Sequence, residues 1–148
     1  MYQKILVPLD GSNRAEKILP HVEELAAHYQ ATVTLLQIIP PAGDILTAGV
    51  ITPLPDQLDS EKKLAESYLN SIKAGLQAKQ IETRTRVVVS GQVADAIVKI
   101  ADEEKINLVA MSSHGHSGLS RVFYGSVAAG LLHQIDRPLL IIRSRKVK

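Results

Sequence analysis

Between Met111 and Val127 the chain reads MSSHGHSGLSRVFYGSV, its densest run of residues suited to chemistry. Gly115, Gly118 and Gly125 are interspersed with Ser112, Ser113, Ser117, Ser120 and Ser126. Glycines let backbone amides approach an anion with no Cβ in the way, and successive amides can form an anion-binding concavity. The stretch follows an apolar, strand-like run and leads into an apolar, helix-like one. Ser126 therefore stands near a helix start, where free amides and the dipole favour negative charge. The composition is that of a backbone cradle for an anion such as a nucleotide phosphate, with His114 inside it. The competing reading is that the glycines only turn the chain. Asp10, directly after the first apolar run, carries a carboxylate suited to ribose hydroxyls.

Other chemistries find less support. A Walker A loop needs Lys-Ser/Thr after its last glycine, and no such pair occurs. Gly115-His116-Ser117-Gly118 does not match G-x-G-x-x-G, and Gly118-Leu119-Ser120 and Gly125-Ser126-Val127 lack the closing glycine of a nucleophile elbow. The chain has no cysteine, which excludes disulfides, thiolate catalysis and cysteine-ligated metals. His114 and His116 lie two apart with no acidic or histidine partner suggested nearby, so no protein-held metal is expected. Paired carboxylates at strand ends are missing. No catalytic residue is therefore assigned, and any hydrolysis of a bound nucleotide is expected to be slow.

The net charge of +2 comes partly from Arg143, Arg145, Lys146 and Lys148, which read as a solvated tail. Five aromatics are too few for a base-stacking surface, so no nucleic-acid partner is expected. The early apolar run Ile5 to Leu9 is too short for a signal peptide. No run approaches the roughly 20 apolar residues of a membrane span. A cytoplasmic chain is the expectation.

The elements that must position these residues alternate. Strands are predicted at Lys4 to Leu9, Thr32 to Ile39, Glu82 to Val89, Ile106 to Met111 and Leu139 to Arg143, all rich in branched residues. The first helix carries Ala15, Ile18, Leu19, Val22, Leu25, Ala26 and Tyr29 on one face, with a kink expected at Pro20. The second, capped by Asp59 or Ser60, turns Leu64, Tyr68, Leu69, Ile72 and Leu76 inward. The third runs through Val93, Ala94, Ile97, Val98 and Ala101, and the fourth from about Tyr124 to Gln134. Residues 40–59 hold four of the seven prolines. So long a connection reads either as a lid over a ligand or as a merely mobile or partner-facing segment.

Strand and helix alternating in this way predict an α/β fold, an open parallel sheet covered by helices on both faces, with residues 1–148 as a single domain. In such a sheet the ligand lies beyond the carboxyl ends of the strands, where strand order reverses. Asp10, the end of the second strand and Ser112 onward meet there.

The residues also carry a resemblance. KILVPLDGSNRAEKIL at the start and NLVAMSSHGHSGLSRVFYGSVAAGLLHQIDRPLLIIR at the end are similar to the first strand and signature region of the universal stress protein family. The resemblance covers essentially the whole chain. The family's ATP-binding members carry Gly, two residues, Gly, nine residues, then Gly-Ser or Gly-Thr. Gly115, the nine residues His116 to Tyr124, and Gly125-Ser126 fit; Ser112 stands where the first glycine would be. The resemblance implies a Rossmann-like, five-stranded sheet of order 3-2-1-4-5. It places Pro8, Leu9 and Asp10 on the adenine and ribose side, Ile38 against the base, and Met111 and Ser112 under the adenosine. His114, Gly115, Gly125, Ser126 and Val127 would surround the phosphates. His116 replaces the basic residue that often follows the cradle glycine, which weakens the grip on a triphosphate.

Serine at 112 would be penalised by roughly 1–2 kcal/mol if the backbone needed φ > 0; with an ordinary φ it fits and can donate a hydrogen bond. The implied function is a stress-response regulatory protein binding ATP, ADP or AMP, with Mg²⁺ carried by the phosphates and water. The alternative is a nucleotide-free interaction module of the same fold. The resemblance further implies a homodimer through the fifth strand, where apolar Leu139 to Ile142 would be a liability at a sheet edge unless paired.

Overall fold

The computed structural model describes residues 1–41, 55–113 and 126–143. Expectations about residues 42–54, and about His114, Gly115, His116 and Gly125, lie outside the described residues. The strands are β1 (Lys4–Leu9), β2 (Thr32–Ile39), β3 (Thr83–Val89), β4 (Leu108–Ser112) and β5 (Leu139–Ile142). The helices are α1 (Leu19–Tyr29), α2 (Pro55–Ala78), α3 (Val93–Glu103) and α4 (Ser126–Gln134).

Every strand pair is parallel, and the order across the sheet is β3-β2-β1-β4-β5, the order that the family resemblance implied. Both faces are covered, which is why consecutive residues such as Leu35 and Leu36 are equally inaccessible. On one face Ile5, Val7, Leu9, Val33 and Leu35 pack with Val22 and Ala26 of α1 and with Leu69 and Leu76 of α2. On the other, Leu6, Leu36, Val109 and Met111 pack with Ile97 and Ile100 of α3 and with Leu131 of α4. This alternation sorts every strand residue to one side or the other.

Several expectations are corrected. Pro20 does not kink a helix. Residues Ala15–Ile18 form a separate 3₁₀ turn, and Pro20 falls in the first turn of α1, where its missing amide hydrogen leaves no bond unmade. Helix α2 begins at Pro55, ahead of Asp59 and Ser60, with proline again at a helix start. Leu64 does not face inward: it is 70% exposed, and Ala65 takes the inward place in phase with Leu69 and Leu76. One residue on a helix is about 100° of rotation, enough to move a side chain off the core face. Strand β4 starts at Leu108 and reaches Ser112, two residues later than expected at its start and one at its end. Strands β3 and β5 are each one residue shorter than expected, beginning at Thr83 and ending at Ile142.

The amino ends of the strands are tied together by side chains. Asn107 Oδ1 accepts from the Gln3 and Lys4 amides at 3.0 and 2.8 Å, joining β1 to β4. Arg137, ahead of β5, donates from Nη1 to the carbonyls of Ala101 and Ile106 at 2.8 and 3.2 Å and also pairs with Asp102 and Asp136.

Candidate functional site

The strand order reverses between β1 and β4, since the chain builds β2 and β3 to one side of β1 and β4 and β5 to the other. The register of β1 with β4 covers Ile5↔Leu108 and Leu6↔Val109 and goes no further. Beyond it the two strand ends enclose a pocket of about 500 Å³. That volume suits a small-molecule ligand, for which roughly 300–1,000 Å³ is usual.

The residues singled out from the sequence converge here. Pro8, Leu9 and Asp10 line the pocket from β1, Ile38 from β2, Met111 and Ser112 from β4, and Ser126 and Val127 from the start of α4. Leu9 borders it while belonging to the core of the α1–α2 face. His114, Gly115 and Gly125 lie outside the described residues.

Asp10 is held by its own turn. Its Oδ1 accepts from the Ser12 amide at 2.9 Å, closing an Asx-type turn. The residue between them, Gly11, has φ +87°, a conformation that residues with a Cβ rarely adopt.

Ser112 has an ordinary strand backbone, since the non-glycine residues with positive φ among those described are Gln30, Gln80 and Lys105. Its hydroxyl donates to the Ala15 carbonyl at 3.1 Å. Ala15 belongs to the core of the α1–α2 face, so the Ser112 side chain is engaged there and serine carries no strain at this position.

Sequence reasoning left part of the pocket without a role. Ser113 lines it and is 8% exposed, yet its Oγ has no hydrogen-bond partner among the described residues. The signal was present: Ser113 continues the alternation that puts Met111 on this face. The start of α3 was also missed, where Gln92, Val93, Ala94 and Asp95 form a wall facing Ile38 and Leu36. Gln92 makes no side-chain cap bond to α3; instead Ser90 Oγ accepts from the Gln92 amide at 3.1 Å. The walls α3 and α4 are close-packed: a Cβ added at Gly130 would come within 2.9 Å of the Ala94 Cβ.

The pocket is thus apolar along Pro8, Leu36, Ile38, Ile97 and Met111. Asp10, Ser113 and Ser126 gather polar groups toward its β1–β4 and α4 side. The model of the Universal stress protein family matches residues 1–143. The chain belongs to the universal stress protein family.

Universal stress protein MJ0577 of Methanocaldococcus jannaschii is 30% identical over 98% of this chain and 97% of its own length. The solved structure of MJ0577 superposes with a TM-score of 0.84 at 26% identity, covering 99% of each chain. Two further universal stress protein structures share the fold. One, in complex with cAMP, has a TM-score of 0.69 at 21% identity and covers 97% of this chain and 98% of its own. The other, from Archaeoglobus fulgidus in complex with dAMP, has a TM-score of 0.65 at 20% identity over 95% and 98%. Nucleotides are therefore ligands of some universal stress proteins.

Proposed function

We propose that the chain binds an adenine nucleotide (ATP, ADP or AMP) in the β1–β4 pocket, as a cytoplasmic, homodimeric stress-response regulator. The observation that carries this reading is the Ser113 hydroxyl, buried against the pocket with no partner among the described residues. Buried hydroxyls are rarely left unpaired, because desolvation without a bond costs roughly 1–3 kcal/mol. A polar ligand in the pocket relieves that cost.

The distribution of chemistry fits a nucleoside phosphate. The apolar walls Leu36, Ile38, Ile97 and Met111 accept a base, and Asp10 accepts from ribose hydroxyls. The amides at the start of α4, around Ser126 and Val127, favour phosphate oxygens. In this reading His114, Gly115 and Gly125 complete the phosphate cradle. Mg²⁺ would be carried by the phosphates and water rather than by protein carboxylates. The cAMP and dAMP complexes of other family members support the ligand class. The homodimer would pair β5 with β5, since Leu139–Ile142 forms a sheet edge that is half-buried and apolar.

Calorimetric titration of the purified chain with ATP and Mg²⁺ tests the reading. Saturable binding with a Kd below about 1 mM, the level at which affinity reaches roughly −4 kcal/mol, is expected. Silence at millimolar ATP, ADP and AMP alike rejects it.

A further inference from the structure

A strap of hydrogen bonds runs past the pocket from the end of β1 to the end of β4. Asp10 Oδ1 accepts from the Ser12 amide at 2.9 Å. Ser12 Oγ accepts from the Ala15 amide at 3.1 Å. The Ala15 carbonyl accepts from Ser112 Oγ at 3.1 Å, a bond between residues 97 apart in sequence. Ser112 is 4% exposed, so water does not compete for that last link.

The strap matters because the ladder between β1 and β4 stops short of the pocket. The β1–β4 register ends at Leu6↔Val109, four residues before Asp10 and three before Ser112. Pro8 has no amide hydrogen with which to extend it. Beyond that point the placement of Asp10 relative to β4 rests on contacts outside the sheet ladder. The Ser112 hydroxyl supplies one that is short, buried and directional.

We propose that Ser112 is a positioning residue for the ligand. Its hydroxyl, acting through Ala15 and Ser12, fixes where the Asp10 carboxylate meets the ribose hydroxyls. The inference rests on the nucleotide reading above. It assigns to Ser112 a role that needs no contact between its side chain and the ligand.

The test compares ATP with 2′,3′-dideoxy-ATP, which offers Asp10 no ribose hydroxyl. In the wild-type chain ATP is expected to bind about tenfold more tightly, the worth of a hydrogen bond to a charged group. Ser112→Ala and Ser112→Gly each lower ATP affinity by up to about tenfold and leave dideoxy-ATP within about twofold, because only the Asp10 contact is misplaced. Ser112→Thr, which keeps the hydroxyl, retains the preference. In an Asp10→Ala background Ser112→Ala costs nothing further.

Equal losses for the two ligands would make Ser112 a structural serine only and overturn the inference, as would an unchanged ATP preference in Ser112→Gly. A wild-type chain that binds both ligands equally overturns it too, while sparing the nucleotide reading. One that binds neither rejects both.

Discussion

Two depressions of nearly equal volume lie at opposite ends of the sheet, about 500 Å³ at the carboxyl ends of the strands and about 480 Å³ at the amino ends. At the amino end, where Asn107 and Arg137 line the depression, those side chains are already bonded to backbone and carboxylate groups. At the carboxyl end, Ser113 Oγ is buried with no partner among the described residues. Ser113 lines the pocket there. The comparison teaches that size does not mark a binding site. Unused hydrogen-bonding capacity in a place shielded from water does, because native interiors otherwise pair their polar groups. The amino end is closed by its own side chains, and the carboxyl end keeps an unpaired hydroxyl that the nucleotide reading fills.

The strongest way to break this comparison is at the closed end. Arg137→Ala strips the Ala101 and Ile106 carbonyls of a charged donor, an expected loss of about 2–3 kcal/mol. For a chain of this size that lowers the thermal midpoint by about 5–10 °C. Arg137→Lys recovers only part of it, since a point charge cannot reproduce the planar fork. Nucleotide affinity should stay within about twofold, well under the 1.4 kcal/mol of a tenfold change. Calorimetric melting and titration of the same variant read both numbers. A variant that keeps its midpoint and loses affinity would reverse the roles of the two ends.

Ser113→Ala probes the open end and should do the opposite. Removing a buried hydroxyl that has no protein partner leaves the thermal midpoint unchanged or slightly raised. Losing a ligand contact weakens nucleotide binding by about tenfold. A lowered midpoint with unaltered affinity would mean that the hydroxyl serves the fold.

The contrast between the ends also bears on what could be read from the chain. The strands were legible because branched apolar runs of five to eight residues admit little else in an alternating α/β pattern. Asp10 and Ser126 were legible as pocket residues because they sit at a strand end and a helix start, where an open α/β sheet takes its ligands, whereas Ile38 and Met111 came from the family resemblance. The α3 wall was not, because Gln92 and Asp95 reach the pocket only through the crossover from β3 back over the sheet. Nor could the sequence decide the conformation at Ser112: its hydroxyl is engaged by a carbonyl 97 residues away. The phase of α2 was misjudged for a related reason. Leu64 is the more apolar residue, but the burial of Leu69 and Leu76 fixes the rotation and brings Ala65 inward.

The smallest effect, and the one that sharpens the comparison most, concerns Tyr68 of α2. Its hydroxyl donates to Glu16 Oε2 at 2.8 Å, fastening α2 to the 3₁₀ turn that also carries Ala15. Burial, then the bond to Glu16 and the negative charges of Glu16 and Asp10, push the phenol's pKa up. The folded state therefore favours the protonated phenol. Its stabilisation is complete below the unfolded pKa of about 10 and is lost as pH rises from there toward the higher folded value. Tyr68→Phe should cost about 1 kcal/mol near neutrality. It should also flatten the fall in thermal midpoint above about pH 10, since groups common to both chains cancel in the difference. Parallel midpoint curves in that range would show that neither burial nor the bond to Glu16 raises the phenol's pKa in the folded chain. The open end would then rely on the Ser112 strap without a second fastening from α2.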